Sequence, residues 1–200
     1  MSHYFIDDPQ LAPDERSFNY YAGSIRLSLT SDAGLFSHGH MDTATGLLLD
    51  VILPLLSEEK ATLLDLGCGW GAVGVVLGKC RPALRICFVD VNPKALRYAE
   101  KNAHANGVDG EFILSDAYDV IAKRRFDYIA VNPPIHAGRE LCRRMLLDSA
   151  EHLTPNGELF AVINKKHGGQ SLLGEAADGY AVEILRKEKG VLVARLRPVK

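Results

Sequence analysis

A chain of 200 residues, 47% hydrophobic and 24% charged, is long enough to bury a full core without disulfide or metal staples. A formal charge of −2 excludes a protein held to nucleic acid by bulk electrostatics alone, although a local basic patch survives such a balance. Cys68, Cys80, Cys87 and Cys142 include no Cys-x-x-Cys pair, which argues against a zinc or dithiol motif and for a reducing, cytoplasmic compartment.

Residues 1–16 are polar, carry Pro9 and Pro13, and read as an irregular arm with no apolar leader. Residues 17–30 predict two short strands around Ala22-Gly23, within a small β extension over 17–41. Asp42 is placed to cap a helix from Thr43 to Leu53, which Pro54 ends. The most apolar stretch, 46–56, contains Asp50 and Pro54 and is too short to span a bilayer, so no membrane association is expected.

From residue 61 strands and helices alternate, within a core over 42–200 that forms a single domain, 17–200, with the β extension. Residues 61–66 predict a strand, 67–71 a glycine loop, and a helix follows to about Lys79. The next strand is 84–90, then a helix over 92–107 with Pro93 in its first turn and Asn106-Gly107 at its end. Strands follow at 110–116 and 126–132, a helix at 139–152, a Pro155-Asn156-Gly157 turn, and a fifth strand at 158–164. The tail, 180–198, predicts an antiparallel hairpin around Lys189-Gly190. Five strands spaced by helices imply an α/β fold with a doubly wound parallel sheet, made mixed by the hairpin.

The glycine loop supports two chemistries. Gly69-x-Gly71-x-x-Gly74, with Asp90 21 residues beyond Gly69, matches a dinucleotide fingerprint and an NAD-dependent oxidoreductase. Yet Asp65 precedes Gly67, Gly69 and Gly71, and an acid there is unwelcome beside a pyrophosphate. It suits a cationic ligand such as S-adenosylmethionine, with its sulfonium and ammonium groups. Asp90 is then placed to accept both ribose hydroxyls, and Asp116, at the end of the third strand of the alternation, to face the adenine. All three acids fall at strand carboxyl ends, where open α/β sheets bind ligands.

Asn132-Pro133-Pro134 ends the strand 126–132. Each proline restricts the residue before it and lacks an N–H, so the segment is stiff and offers acceptors, the Asn132 side-chain oxygen and the Pro133 carbonyl. Two fixed acceptors can hold both protons of an exocyclic base amine and aim its lone pair at a sulfonium methyl, an in-line displacement driven by positioning and electrostatics.

These residues together resemble a class I S-adenosylmethionine-dependent methyltransferase with a Rossmann-like sheet. The segments 34–49, Asn132–Gly138 and 190–200 sharpen the resemblance to the small-domain (MTS) methyltransferases, near ribosomal-RNA small-subunit methyltransferase C, in their short single-domain form. The resemblance implies methylation of guanine N2 in 16S rRNA. It implies that Asp65, Gly67, Gly69, Gly71, Asp90, Asp116 and Ala117 bind the cofactor, that Phe36 and Asp42 close over it, and that Asn132, Pro133 and Pro134 are catalytic. Adenine-N6 and glutamine-amide enzymes usually carry an aromatic residue after Asn-Pro-Pro, and this chain has Ile135, which lowers those two alternatives.

Ile135, His136, Lys165 and Lys166 are the candidate substrate contacts, the lysines as phosphate ligands on the active-site rim. The seven histidines lack Cys or acidic partners at ligand spacing, so no metal is expected. A non-catalytic RNA-binding factor on the same scaffold is the remaining alternative.

Overall fold

The computed structural model describes residues 12–134, 137–165 and 168–199. β1 (Arg16–Ala22) and β2 (Ile25–Ser31) form a two-stranded antiparallel sheet, with the tight turn between them supplied by Gly23 at φ +62°. The predicted arm is described only from residue 12, and its last residue, Arg16, already belongs to β1.

The main sheet holds β3 (Ala61–Leu66), β4 (Leu84–Asp90), β5 (Gly110–Leu114), β6 (Phe126–Val131), β7 (Leu153–Asn164), β8 (Tyr180–Glu188) and β9 (Val191–Pro198). Its order is β5-β4-β3-β6-β7-β9-β8. β3 to β7 run parallel, and β9 is antiparallel to both β7 and β8. The chain winds one way from β3 through β4 to β5, then returns to the other side of β3 with β6. The strand order therefore reverses between β3 and β6, and a crevice opens there above the strand ends.

The helices are α1 (Thr43–Ile52), α2 (Ala72–Cys80), α3 (Pro93–Asn106), α4 (Arg139–Leu147) and α5 (Gly169–Ala176). Successive strand residues serve opposite faces. Leu63, Phe88 and Ala130 pack with Leu48, Val76 and Ala99 of α1, α2 and α3. Their neighbours Leu64, Val89 and Ile129 pack with Met145 and Leu173 of α4 and α5. The third fingerprint glycine, Gly74, lets α2 lie close on the sheet: a Cβ there would sit 2.2 Å from Phe88 Cε1, and Phe88 is itself stacked on Phe112.

The small sheet is attached through amides. Asn102 exchanges two hydrogen bonds of 2.8 Å with the Thr30 backbone, and Asn106 does the same with Ser28 at 3.0 and 2.9 Å. Four helical residues rise about 6 Å and two strand residues about 6.6 Å, so an i, i+4 asparagine pair matches an i, i+2 strand edge. α3 thus pairs the edge of β2 that a strand would otherwise need. A buried ion pair adds a second anchor: Lys94 Nζ lies 2.9 Å from Asp32 Oδ2 and donates to the Ala33 carbonyl at 2.8 Å.

The structure departs from the sequence reading in three places. Pro155-Asn156-Gly157 lies inside β7. Phe126 pairs with Leu153 and Tyr128 with Glu158, so residues 154–157 bulge opposite Asp127 alone. The predicted helix 139–152 stops at Leu147 and tightens into a 3-10 turn over Asp148–His152. Ser149 Oγ donates to the Leu146 carbonyl and the Tyr180 hydroxyl reaches the Leu147 carbonyl, at 2.7 and 2.9 Å, satisfying the last turn with side chains. α5 was not expected, because Gly168, Gly169 and Gly174 hide the apolar pair Leu172-Leu173 that buries it.

Candidate active site

A cavity of about 470 Å³ opens at the carboxyl ends of β3, β4 and β6, over the reversal in strand order. Four acids line it, Asp42, Asp65, Asp90 and Asp116, and no Lys, Arg or His does so among the described residues. Of the expected cofactor residues, Phe36, Asp42, Asp65, Gly67, Gly69, Asp90, Asp116 and Ala117 share this cavity, and Asn132, Pro133 and Pro134 form part of its wall. Gly71 does not line it. Its φ of +83° starts α2, and a Cβ there would lie 3.0 Å from the Ala99 backbone, so its task is packing.

The glycine loop is held from below. The Val89 carbonyl accepts from the N–H groups of Gly67 and Cys68, at 2.8 and 2.9 Å. Asp90 accepts from the Gly69 N–H through one oxygen and from the Asn92 N–H through the other, both at 2.8 Å. Gly69 takes a φ of +55°, and a Cβ there would meet nothing within 4 Å. The left-handed backbone requires glycine at this position, and its open side faces the cavity.

Asp65 is fully buried under the loop and accepts from the Gly74 N–H at 2.8 Å. Burial raises its carboxyl from 3.8 to about 7; the Gly74 bond opposes this and the charge of Asp90 adds to it. Burial likewise raises the Asp90 carboxyl. The native state therefore holds a proton on Asp65 that the unfolded chain releases at lower pH. Its contribution to stability is complete below 3.8, declines as pH rises, and is lost above about 7. Asp65→Asn, which keeps an acceptor for Gly74, is expected to flatten this decline. Thermal midpoints of both proteins between pH 5 and 8 check it, and parallel curves would refute it.

Asn132 directly follows β6 and is turned by the first turn of α1. Asp42 caps that helix, accepting from the Thr45 N–H at 2.9 Å. The Asn132 Nδ2 donates to Thr45 Oγ1 at 3.0 Å and to Asp42 Oδ2 at 3.4 Å. That leaves Oδ1 as the acceptor of this side chain. Thr45 was missed from sequence, although Asp42 followed three residues later by Thr45 has the spacing of a capping pair.

The walls have their own supports. Trp70 is buried, packs edge-on against Phe18 at 5.8 Å, and donates its indole N–H to the Phe36 carbonyl at 2.7 Å. Phe36 keeps half of its surface exposed over the cavity. Arg144 donates to the Asp116 carbonyl at 2.6 Å and lies 3.3 Å from its carboxylate, fixing the turn that contains Ala117 at φ +46°.

Lys165 follows β7, and its N–H donates to the Gly190 carbonyl in the β8–β9 turn at 3.0 Å. This brings Lys165 beside Lys187 at the edge formed by Asn164 and Val191, both of which line the cavity. Loss of hydration, then the neighbouring Lys187 ammonium, hold the Lys165 group below the ordinary lysine range. Ile135, His136 and Lys166 lie outside the described residues. Among the described residues no three His, Cys, Asp or Glu side chains converge on a metal-sized site, and no helix is long and apolar enough to cross a membrane.

The family model described as methyltransferase small domain matches residues 26–194. The chain is 31% identical over 200 residues to the protein YbxB of Bacillus subtilis (strain 168), with 98% of each chain covered. It is 36% identical over 174 residues to ribosomal RNA small subunit methyltransferase C of Pseudomonas aeruginosa (strain UCBPP-PA14), covering 80% of this chain and 51% of that one. Among solved structures, a T. thermophilus 16S rRNA N2 G1207 methyltransferase, in complex with AdoMet and guanosine, superposes with a TM-score of 0.83. That match has 24% identity over 96% of this chain and 52% of the other, so it speaks for the fold. The chain spans about half the length of both named methyltransferases.

Proposed function

Because the chain belongs to the methyltransferase small domain family, we propose that it transfers a methyl group from S-adenosylmethionine to an exocyclic guanine amine, N2, in RNA, with small-subunit rRNA as the substrate. The observation that carries this reading is a cavity lined by four acids, with no base among the described residues, beside the acceptor of Asn132. Such a lining fits a ligand bearing a sulfonium and an ammonium group, and it disfavours a pyrophosphate. Family membership and this lining together set the NAD-dependent oxidoreductase aside.

When bound, S-adenosylmethionine supplies an electrophilic methyl on sulfur. Asp65 with Gly67 and Gly69 receives its amino-acid end, and Asp90 accepts from the ribose hydroxyls, each such bond contributing about 1.5–3 kcal/mol. Asp116 and Ala117 face the adenine, while Phe36 and Asp42 cover the site. Asn132 Oδ1 and the Pro133 carbonyl accept the two protons of the base amine, so its lone pair points at the methyl. Pro134 stiffens that pair. Lys165, with Lys166 next to it in sequence, and Lys187 contact RNA phosphates, and the enzyme works in the cytoplasm. The 36%-identical relative named for rRNA methylation supports the substrate class.

The test is transfer of a labelled methyl group from S-adenosylmethionine to small-subunit rRNA, free and assembled into the subunit, followed by mass mapping of the modified nucleotide. Label in N2-methylguanine is the expected result. Label in N6-methyladenine or on a protein glutamine would refute the guanine assignment, and RNA binding without transfer would favour a non-catalytic factor.

A further inference from the structure

We propose that Thr45 is a positioning residue that sets which face of the Asn132 carboxamide meets the substrate, an inference that rests on the methyl-transfer reading above. The argument is one of hydrogen-bond direction. An ionised carboxylate only accepts, whereas a hydroxyl has one proton to give and lone pairs to accept with. Asp42 Oδ2 accepts from both the Thr45 N–H and the Thr45 hydroxyl, at 2.9 and 3.2 Å.

With its single proton committed to Asp42, the Thr45 oxygen can only accept from Asn132, and it does so from Nδ2 at 3.0 Å. A flipped carboxamide would bring Oδ1 against two acceptors, the Thr45 and Asp42 oxygens. The flip is therefore excluded by α1, a helix that precedes the whole glycine-loop core in sequence. Thr45 is buried, so bulk water does not substitute for it. With Nδ2 engaged, Oδ1 is the atom left for the incoming amine, which must present a donor. Asp42 thereby caps a helix and, through Thr45, dictates the polarity of the site.

Thr45→Val keeps the branched shape and removes the hydroxyl. It is expected to lower kcat by about 10–100-fold, with KM for RNA and affinity for S-adenosylmethionine little changed. Thr45→Ser, which restores the hydroxyl, is expected to recover most of the rate. In an Asn132→Ala background Thr45→Val should add no further loss. A Thr45→Val enzyme with near-normal kcat, or a Thr45→Ser enzyme no better than it, overturns the proposal. So does a loss that appears equally in cofactor affinity and thermal midpoint, which would make the role merely structural.

A second readout does not depend on the substrate. The Asn132 side-chain amide protons, followed by 15N NMR, should exchange slowly in the wild type and in Thr45→Ser and quickly in Thr45→Val. Equal exchange in all three overturns the positioning role. Failure of the wild type to methylate any RNA, with this exchange pattern intact, would instead count against the functional reading alone.

Discussion

Asn132→Ala is expected to cut methyl-transfer turnover by about 10²–10³, the usual loss when one oriented polar group is removed from an active site. Affinity for S-adenosylmethionine should stay nearly unchanged, because Asp65, Asp90 and the glycine loop sit on β3, β4 and the link to α2 rather than on β6. The effect should fall on kcat, since the Asn132 acceptor matters most when the amine's lone pair is pulled out of conjugation. Asn132→Asp is the sharper variant. It presents a carboxylate to Asp42, which now accepts from Asn132 Nδ2 at 3.4 Å. Two facing acids repel or share a proton, so this variant should lose rate and gain a pH dependence that the alanine variant lacks. Single-turnover kinetics with saturating cofactor separates the cases, and a normal rate for Asn132→Ala would remove Asn132 from the mechanism.

Lys94→Met should produce the largest loss of stability. Lys94 and Asp32 are both buried, with side-chain exposures of 11% and 4%. Removing one partner of a buried pair costs about 3–5 kcal/mol, because the remaining charge has no compensation. Without Lys94, Asp32 keeps the N–H donors of Asp14 and Ala33, at 2.7 and 2.8 Å, but no cation against its charge. Burial alone would raise its carboxyl, but Lys94 and these donors outweigh burial and hold it below its ordinary value of 3.8. In the wild type this stabilisation is present above 3.8 and is lost as pH falls through the lowered native value. In Lys94→Met the buried carboxyl gains a proton more readily, so the stability gap between the two proteins should narrow on acidification toward pH 5. Urea unfolding at pH 5 and pH 7.5 measures this. A gap that is small, or independent of pH, would mean that the pair is not what anchors the segment 31–36.

Much of this architecture was readable from the sequence because its signals are local. Asn92 and Pro93 start α3 and Gly107 ends it in a left-handed turn, as their order along the chain predicts. Lys189-Gly190, both at positive φ, make the tight β8–β9 turn. The strand-end acids were legible because a parallel sheet puts all carboxyl ends on one rim. Partnerships across the chain were not. No spacing rule links Asn102 to Thr30, 72 residues away, or Asn132 to Thr45, 87 residues away. Pro155-Gly157 misled for a related reason: the residues favour a turn, but pairing on both sides keeps them within one strand as a bulge. Gly71 carried a fingerprint position while serving helix packing, a distinction visible only once Ala99 is placed beside it.

Trp70 is the only tryptophan in the chain. Its indole joins the glycine loop to the Phe36 backbone and rests on Phe18 of the small sheet. The molecule thus carries its single indole at the junction of the glycine loop, the Phe36 segment and the N-terminal hairpin, where it can be excited selectively over the tyrosines. Its emission should respond both to ligand occupancy and to detachment of the hairpin, so a single unlabelled optical signal can time the two events in one stopped-flow trace.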